Sequence, residues 1–574
     1  MTNFKIQNLF RVFSIFIAIV LLWNNSFELY PDGICYLDVA DLFIKNGWSG
    51  LVHPYWSPLY PLCLAILKII FHPSAFWLIP ATQILNFLLF ILLLFSFDLF
   101  LSKVITVTRH INTDNGSTML LPDWALIIIG YSLFVWSFVA LCELWKQVPD
   151  TIVAICFYLA SYFLLKIRFE KYNYRNFIAF GFILGAGFLA KPIMLLLEVV
   201  YIITLLFYFK NNLKSIITGI VILTLTSGVC IIPYVISLSF KQGYFTVGDS
   251  GKLNYIWYVN GIKQFTHWQG ECPTSTIDKN NCSKIGKPIH PTRKIYAFPT
   301  VYEFDGEGGT YPPWFNPVYW YAGAKPYVNL KGHLLALKTW NAEDKKTFFV
   351  GLSGGLFVLL AYLILLYVSG NVVAYFKRLS IILDLFIPSC VIFLLAFFVN
   401  FNTRYVGHFV VLFWLPLIIP ITIVSSREMI RLLKILILLV IITPTYSGFA
   451  VVKNYSNQNK NKKGHVHWVV ATYLDNMGVK EGDKVVYFGN PWWAAWAKLA
   501  SVKIVAEIYS QKEVAGPFWN QKKEIMEKII QTISNKTEAK VIVAQKAPSI
   551  AKNLGWKNIP NTPYYVYDLR QDKK

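Results

Sequence analysis

Charged side chains are scarce in this sequence. Asp, Glu, Lys and Arg make up 15% of 574 residues, against 55% apolar and aromatic types. Mean hydropathy is +0.48, and apolar runs long enough to cross a bilayer recur along the chain, which excludes an ordinary soluble globule. Acidic residues are the scarcer sign, 31 against 53 basic, for a formal net charge of +22. In a soluble protein that excess would point to nucleic acid. Here the Lys and Arg residues cluster in short loops between apolar runs, so they read as a topology signal plus attraction to anionic lipid, and no nucleic-acid partner is expected. No Cys/His cluster has zinc spacing. Cys63, Cys142, Cys156, Cys230 and Cys390 lie in or at apolar segments, whereas Cys272 and Cys282 share one polar loop and could bridge if it faces an oxidising space. The first apolar run, about residues 9–23, lacks a small-residue cleavage site and reads as a retained anchor.

Apolar segments fall at about 9–23, 58–71, 77–101, 124–142, 151–166, 177–190, 193–209, 215–238, 347–368, 380–400, 409–425 and 432–450. The 58–71 run opens on Pro58 and Pro61 and falls short of the ~20 residues a crossing needs, so it reads as a juxtamembrane or re-entrant helix. Setting it aside leaves about eleven crossings and puts the basic loops on one side: Lys103/Arg109, Lys166–Arg175, Lys210/Lys214, Lys377/Arg378 and Arg427–Lys434, with Lys5 and Arg11. Residues 24–57, the 143–150 turn, Lys191, the 239–346 loop, the 401–408 turn and everything after about 451 then share the non-cytoplasmic face of a multi-pass cell membrane, with a bacterial inner membrane as the expected setting. The 239–346 loop is too aromatic for disorder and too irregular for a helix, and is expected to form an ordered cap. Beyond about 465, helix and strand patterns alternate, with strands at 484–488, 503–508, 540–544 and 564–569. The chain thus divides into a mostly α polytopic membrane part, 1–450, and a small non-cytoplasmic α/β accessory domain, 451–574. Gly489 follows a strand without a G-x-G-x-x-G fingerprint, so nucleotide binding has little support.

The polar residues on that shared face carry the chemistry. Asp32, after Tyr30-Pro31, is placed to cap a short amphipathic helix whose stripe is Ile34, Leu37, Ala40 and Phe43/Ile44. It is also placed to act as a general base at a membrane–water boundary. Asp38 and Asp41 read as the solvated side of that helix, with Lys45 an i,i+4 partner for Asp41. Asp150, after Pro149, is an N-cap in its plainer role. Glu143 ends an apolar helix and has no structural excuse, which makes it a site candidate. Gly181 and Gly185 are spaced for close helix packing. Lys191-Pro192 breaks a long apolar run on the face where positive charge is normally depleted. A snorkelling lysine is the bland reading and a phosphate ligand the functional one. Arg404, with Tyr405 and His408 beside it, invites the same comparison, since a guanidinium suits phosphate. His53 and His267 either pack with neighbouring aromatics or meet substrate. Trp and Tyr at 48, 55, 56, 268, 314 and 319–321 form an interfacial belt or stack on sugar.

Asp32 with Tyr36 after a first membrane helix, then Pro58-Leu59-Tyr60-Pro61, resembles the first external loop of the GT-C glycosyltransferases. The resemblance is to the dolichyl-phosphate-mannose-protein mannosyltransferase-like and aminoarabinose-transferase-like branch, glycosyltransferase family 39-like. Glu143…Pro149-Asp150, Ala190-Lys191-Pro192 and Arg404-Tyr405 look like its later landmarks. The resemblance implies inverting transfer of a sugar from a polyprenyl-phosphate donor to a glycan, lipid or protein acceptor. Asp32 would be the base, with Glu143 helping to position the acceptor or sugar. Lys191, Arg404 and Tyr405 would hold the donor phosphate, and Tyr36, His53, Trp56, Asp150 and His267 are the candidate substrate contacts. Gly33 stands where an acidic residue often follows the first Asp, and Trp56-Ser57-Pro58 replaces His-Pro-Pro. A divalent metal therefore stays open without an acidic pair to support it, and no cofactor is certain. A transporter or flippase of lipid-linked saccharides is the rival. Such proteins place polar residues near the midplane in repeat-related broken helices, and no repeat is visible here. A structural or assembly subunit is the third reading, and it would require Asp32 and Lys191 to tolerate change.

Overall fold

The computed structural model describes residues 3–109, 111, 118–209, 213–262, 292–304, 308–338, 342–459, 463–509 and 516–571. Helices dominate. Among the described residues seven are long and apolar enough to cross a membrane, one of them α1 (Asn3–Asn24), and shorter apolar helices lie between them. Three of the shorter ones, Tyr174–Ala190, Ile193–Tyr208 and Gly355–Ser369, match expected crossings, whereas Thr403–Ile418 overlaps the expected 409–425 run only in its first part, and that run ends in a strand at Thr422–Val424. The remaining one, Leu59–Phe71, is the run set aside from the sequence. Its 13 residues span only ~20 Å at 1.5 Å per residue.

The elements around the site are α2 (Pro31–Asn46), α3 (Trp48–Leu51), α4 (Leu59–Phe71), α5 (Ala75–Thr108), α6 (Asp123–Trp136), α7 (Asp150–Phe169), α8 (Tyr174–Ala190), α9 (Ile193–Tyr208) and α10 (Leu213–Gln242). Gly47 ends α2 at φ 63°, a conformation that costs glycine little. Gly181 and Gly185 seat α8 on α10 as their spacing predicts. A Cβ on Gly181 would press on the Leu223 carbonyl, and one on Gly185 would lie 2.8 Å from the Cys230 Cβ. Helix α6 runs on into a single π-turn, Ser137–Leu141, and Glu143 follows it at φ 47°. An extra residue in the helical ladder and a left-handed non-glycine residue together turn the chain sharply before α7.

The bundle has two chemically different ends. At one, basic residues meet acids of graded exposure: Arg11 with half-buried Asp98 at 2.7 Å, Lys103 with exposed Glu170 at 2.6 Å, and Arg168 with buried Asp384. Arg168 also donates to the Ile381 carbonyl at 2.9 Å. Arg11, Lys103 and Arg168, three of the basic residues expected to share a side, make these pairs. At the other end sit the start of α2, the 143–149 turn, the first residue of α7, the last turn of α8 and the 401–408 turn.

Strands β1 (Thr118–Leu120) and β4 (Thr422–Val424) pair antiparallel. Strands β2 (Thr292–Tyr296), β3 (Val301–Phe304) and five strands of the tail form a seven-stranded sheet over this second end. Strands β5 (Lys484–Gly489), β6 (Lys503–Tyr509) and β7 (Val541–Gln545) are parallel, and β9 (Tyr564–Asp568) with β8 (Lys557–Asn558) closes one side antiparallel. The order across the sheet is β2-β3-β6-β5-β7-β9-β8. All four strands expected in the tail are present. The other edge comes from elsewhere: β2 and β3 form a hairpin in the cap loop, and β3 pairs with β6. Cap and tail share one sheet. The division expected near residue 450 falls inside helix Arg427–Asn459.

Candidate active site

Prolines and caps place the charged residues. Helix α2 begins at Pro31, whose fixed φ suits a first helical position, so Asp32 lies inside the first turn. The expected N-cap role passes to Tyr30, which is extended at φ −74°, ψ 146° and makes no side-chain cap bond. Asp150 is likewise the first residue of α7, behind Pro149. Pro192 disfavours helical backbone at the residue before it, and Lys191 is extended there at φ −160°, ψ 129°, leaving its side chain free to turn toward α7. Arg404 sits in a one-turn helix, Thr403–Val406, whose start is capped by Asn402 Oδ1 accepting from the Arg404 N–H at 3.0 Å.

These four side chains form one chain of alternating charge. Arg404 Nη2 lies 3.3 Å from Asp32 Oδ2, Arg404 Nε lies 3.1 Å from Asp150 Oδ2, and Lys191 Nζ donates to Asp150 Oδ1 at 2.7 Å. Exposure grades along it: 17% for the Asp32 side chain, 5% for Arg404, 6% for Asp150 and 30% for Lys191. The buried middle is matched charge for charge, and the two open ends are a carboxylate and an ammonium. Tyr405 braces both cations. Its ring centroid lies 4.0 Å from Lys191 Nζ and 5.1 Å from the Arg404 guanidinium carbon, and its hydroxyl accepts from Arg404 Nη2 at 3.4 Å. Tyr30 covers the other face of Arg404 at 5.2 Å. Burial first, then the nearby Asp32 charge, pushes the Tyr30 hydroxyl up from its ordinary value, so it stays a neutral donor.

The other expected residues are placed differently. Glu143 pairs with Lys146 three residues on and is not linked to the Asp32 chain. Lys146 Nζ lies 4.2 Å above the Tyr30 ring, so Tyr30 stands between the two charged groups. The turn is pinned from three sides: Gln147 donates to the Glu28 carbonyl at 3.0 Å, its Oε1 accepts from the Tyr30 N–H at 3.1 Å, and Gln83 donates to the Trp145 carbonyl at 2.9 Å. Tyr36 packs edge-on against Trp56 at 5.0 Å and Tyr60 at 5.5 Å. Trp56 is buried and donates to the Phe315 carbonyl at 2.8 Å. His53 Nδ1 accepts from the N–H groups of Tyr55 and Trp56 at 3.1 and 3.2 Å. Trp56 through its bond to Phe315, and His53 through its ring packed edge-on against Phe315 at 4.9 Å, tie the 52–58 loop to the cap. His267, Trp268, Cys272 and Cys282 lie outside the described residues. Among the described residues no group of three or more His, Cys, Asp or Glu is placed to hold a metal.

Burial and then the Lys241 charge push the His53 imidazole down to about 3 from 6.5. Below pH 6.5 the unfolded chain binds a proton that the folded chain refuses, so stability falls as pH drops from 6.5 toward about 3. Each pH unit within that window costs about 1.4 kcal/mol. Asn at position 53 keeps an acceptor but does not titrate. Thermal unfolding of His53→Asn across pH 4–7 is expected to show a slope shallower than wild type by one proton.

Asp38 and Asp41 correct the sequence reading most sharply. Instead of a solvated face they form a junction with the α/β domain, with Asp38 buried and Asp41 at its partly exposed edge. Lys498 Nζ lies 2.6 Å from Asp38 Oδ1 and 2.6 Å from Asp41 Oδ2, and Asp41 also pairs with Lys68 in place of Lys45. Thr310 adds its N–H at 2.7 Å and hydroxyl at 2.9 Å to Asp38. Burial opposes the Lys498 charge, yet the two carboxylates outweigh it and hold the ammonium above its ordinary range. The missed signal was local: carboxylates at i,i+3 share a helix face, and nothing nearby in sequence neutralises both.

No protein-family model matches the chain, and no curated protein matches it. Solved structures do. ArnT from Cupriavidus metallidurans bound to undecaprenyl phosphate is similar at 11% identity over 98% of this chain and 97% of that chain, with a TM-score of 0.43. The Archaeoglobus fulgidus oligosaccharyltransferase in complex with Zn and sulfate is similar at 11% identity over 93% and 67%, TM-score 0.49. The Archaeoglobus fulgidus oligosaccharyltransferase AglB with an inhibitory peptide and a dolichol-phosphate is similar at 12% over 95% and 69%, TM-score 0.46.

Chemically, the site offers one carboxylate at the open end of a charge chain, one ammonium at the other, and aromatic walls between. Asp150 carries two cations, whereas Asp32 meets its cation through a single 3.3 Å contact. Asp32 is thus the carboxylate with acceptor capacity to spare.

Proposed function

We propose that this protein is an inverting membrane glycosyltransferase of the GT-C kind, moving a sugar from a polyprenyl-phosphate donor to an acceptor hydroxyl or amine on the non-cytoplasmic face. The observation that carries the reading is the Asp32–Arg404–Asp150–Lys191 chain, with its base-like end and its cationic end at one end of an apolar bundle. Asp32 takes the acceptor proton as the acceptor atom attacks the anomeric carbon. The bond from that carbon to the phosphate oxygen breaks with its electron pair leaving on the phosphate. The leaving group is already a good one, so it needs cationic stabilisation more than a general acid. Lys191 has one ammonium hydrogen engaged by Asp150 and is the more exposed cation, so it meets the phosphate first. Arg404, buried and bridging two carboxylates, sets the field around Asp32 and steadies the pair. Apolar helices give the polyprenyl chain a solvent of its own kind.

The purified protein, given a radiolabelled polyprenyl-phosphate sugar and acceptor, is expected to release polyprenyl phosphate and a product of inverted anomeric configuration. Retention of configuration, or passage of the donor across proteoliposomes without transfer, would overturn the reading. Lys191→Met removes one charged donor at the leaving phosphate, and initial rates are expected to fall about 10²–10³-fold. A loss confined to donor KM would assign Lys191 to ground-state binding alone.

A further inference from the structure

The α/β domain meets the bundle at a point that bears on Asp32 itself. Lys498 is buried, with 8% of its side chain exposed, and its ammonium bridges Asp38 and Asp41. Both carboxylates lie on α2, the helix whose first turn carries Asp32. Asp38 stands six residues from Asp32, ~9 Å along the axis at 1.5 Å per residue. The junction is three-sided. Thr310 donates twice to Asp38, while its carbonyl accepts from the Ile504 N–H at 3.0 Å, extending β6 into the cap. Tyr311, next in sequence, donates to buried Glu507 on β6 at 3.1 Å. The strap enters through Gly308 and Gly309 at φ 81° and 77°, and a Cβ on Gly309 would overlap the Phe315 ring. On the membrane side, Lys68 from α4 holds Asp41. The cap, the sheet domain and the bundle therefore all grip α2 within one turn, and no other charged contact fixes α2 except Asp32 with Arg404 at its start among the described residues.

We propose that Lys498 is a positioning residue. It holds α2 at the height and rotation that present Asp32 to the acceptor beside Arg404, so the α/β domain is part of the catalytic apparatus. The consequence for turnover rests on the proposed transfer reaction, and the mechanical link does not. Lys498 touches no reacting atom. A buried cation shared by two carboxylates has one good geometry, and Met in its place leaves both carboxylates unpaired on the domain side. Arg can span two carboxylates through its fork.

The test uses the full chain in lipid nanodiscs. Lys498→Met is expected to lower kcat about 100-fold, as a ~1 Å misplacement of a reacting group can, with donor KM within about twofold of wild type. Amides of residues 33–41 should exchange faster with solvent. Lys498→Arg is expected to recover most of both. Asp41→Asn, which keeps the Asp38–Lys498 pair, should show a smaller loss in the same direction and serves if Lys498→Met fails to fold. Wild-type kcat in Lys498→Met, or unchanged exchange across α2, would overturn the proposal. If wild type transfers no sugar, the functional reading fails, and α2 exchange alone decides whether the domain holds the helix.

Discussion

Asp32→Asn is expected to lower kcat by about 10²–10⁴-fold, the usual contribution of a positioned general base, while leaving the donor KM little changed. The change swaps a carboxylate oxygen for an amide nitrogen without altering volume. It leaves the Arg404–Asp150 pair intact, so the fold should survive. Asparagine cannot accept the acceptor proton, and its amide can still face Arg404 through the remaining oxygen. The loss should therefore appear in the chemical step. Single-turnover measurements with saturating donor separate this from slow product release. A matched loss in donor affinity would instead mean that Asp32 orders the donor site through Arg404.

Arg404→Met has the second largest expected effect, and it strikes stability as well as turnover. The guanidinium serves Asp32 at 3.3 Å and Asp150 at 3.1 Å from a side chain only 5% exposed. Removing one partner of a buried pair strands the remaining charge, at a cost of about 3–5 kcal/mol. Asp150 keeps Lys191 at 2.7 Å, which softens the loss on that side, whereas Asp32 keeps no other cation among the described residues. Thermal unfolding in detergent should show a lowered midpoint, and the folded fraction should show transfer reduced beyond its depletion. Lys in place of Arg is expected to restore stability only in part, because one ammonium lacks the fork that reaches two carboxylates in different directions. Wild-type stability in Arg404→Met would mean that Asp32 and Asp150 are held by other groups.

Local chemistry was readable from the residues themselves. Pro192 predicted the break at Lys191, and Gly181 with Gly185 the close approach of α8 and α10, each because the constraint lies within a few residues. Strand alternation marked all four strands of the tail. The shared placement of Asp32, Asp150, Lys191 and Arg404 was legible too, since helix count and basic loops fix which turns share an end. What could not be read was pairing across the chain. Arg404 reaches Asp32 from 372 residues away, and Lys498 reaches Asp38 from 460. No period or spacing encodes such partners. Hence Asp38 and Asp41 looked like surface charge, while Lys498 sat in a short apolar helix with no sign of its role. The β2–β3 hairpin was hidden similarly: Pro and Gly punctuate the cap loop, and its strands are completed only by β6.

The most direct measurement is a single-turnover assay of purified wild type and Asp32→Asn in nanodiscs with radiolabelled polyprenyl-phosphate sugar and an acceptor. The account predicts sugar transfer with stoichiometric release of polyprenyl phosphate by wild type, and a chemical step slowed by about 10²–10⁴-fold in the variant at unchanged donor binding. Equal rates for the two proteins would contradict it.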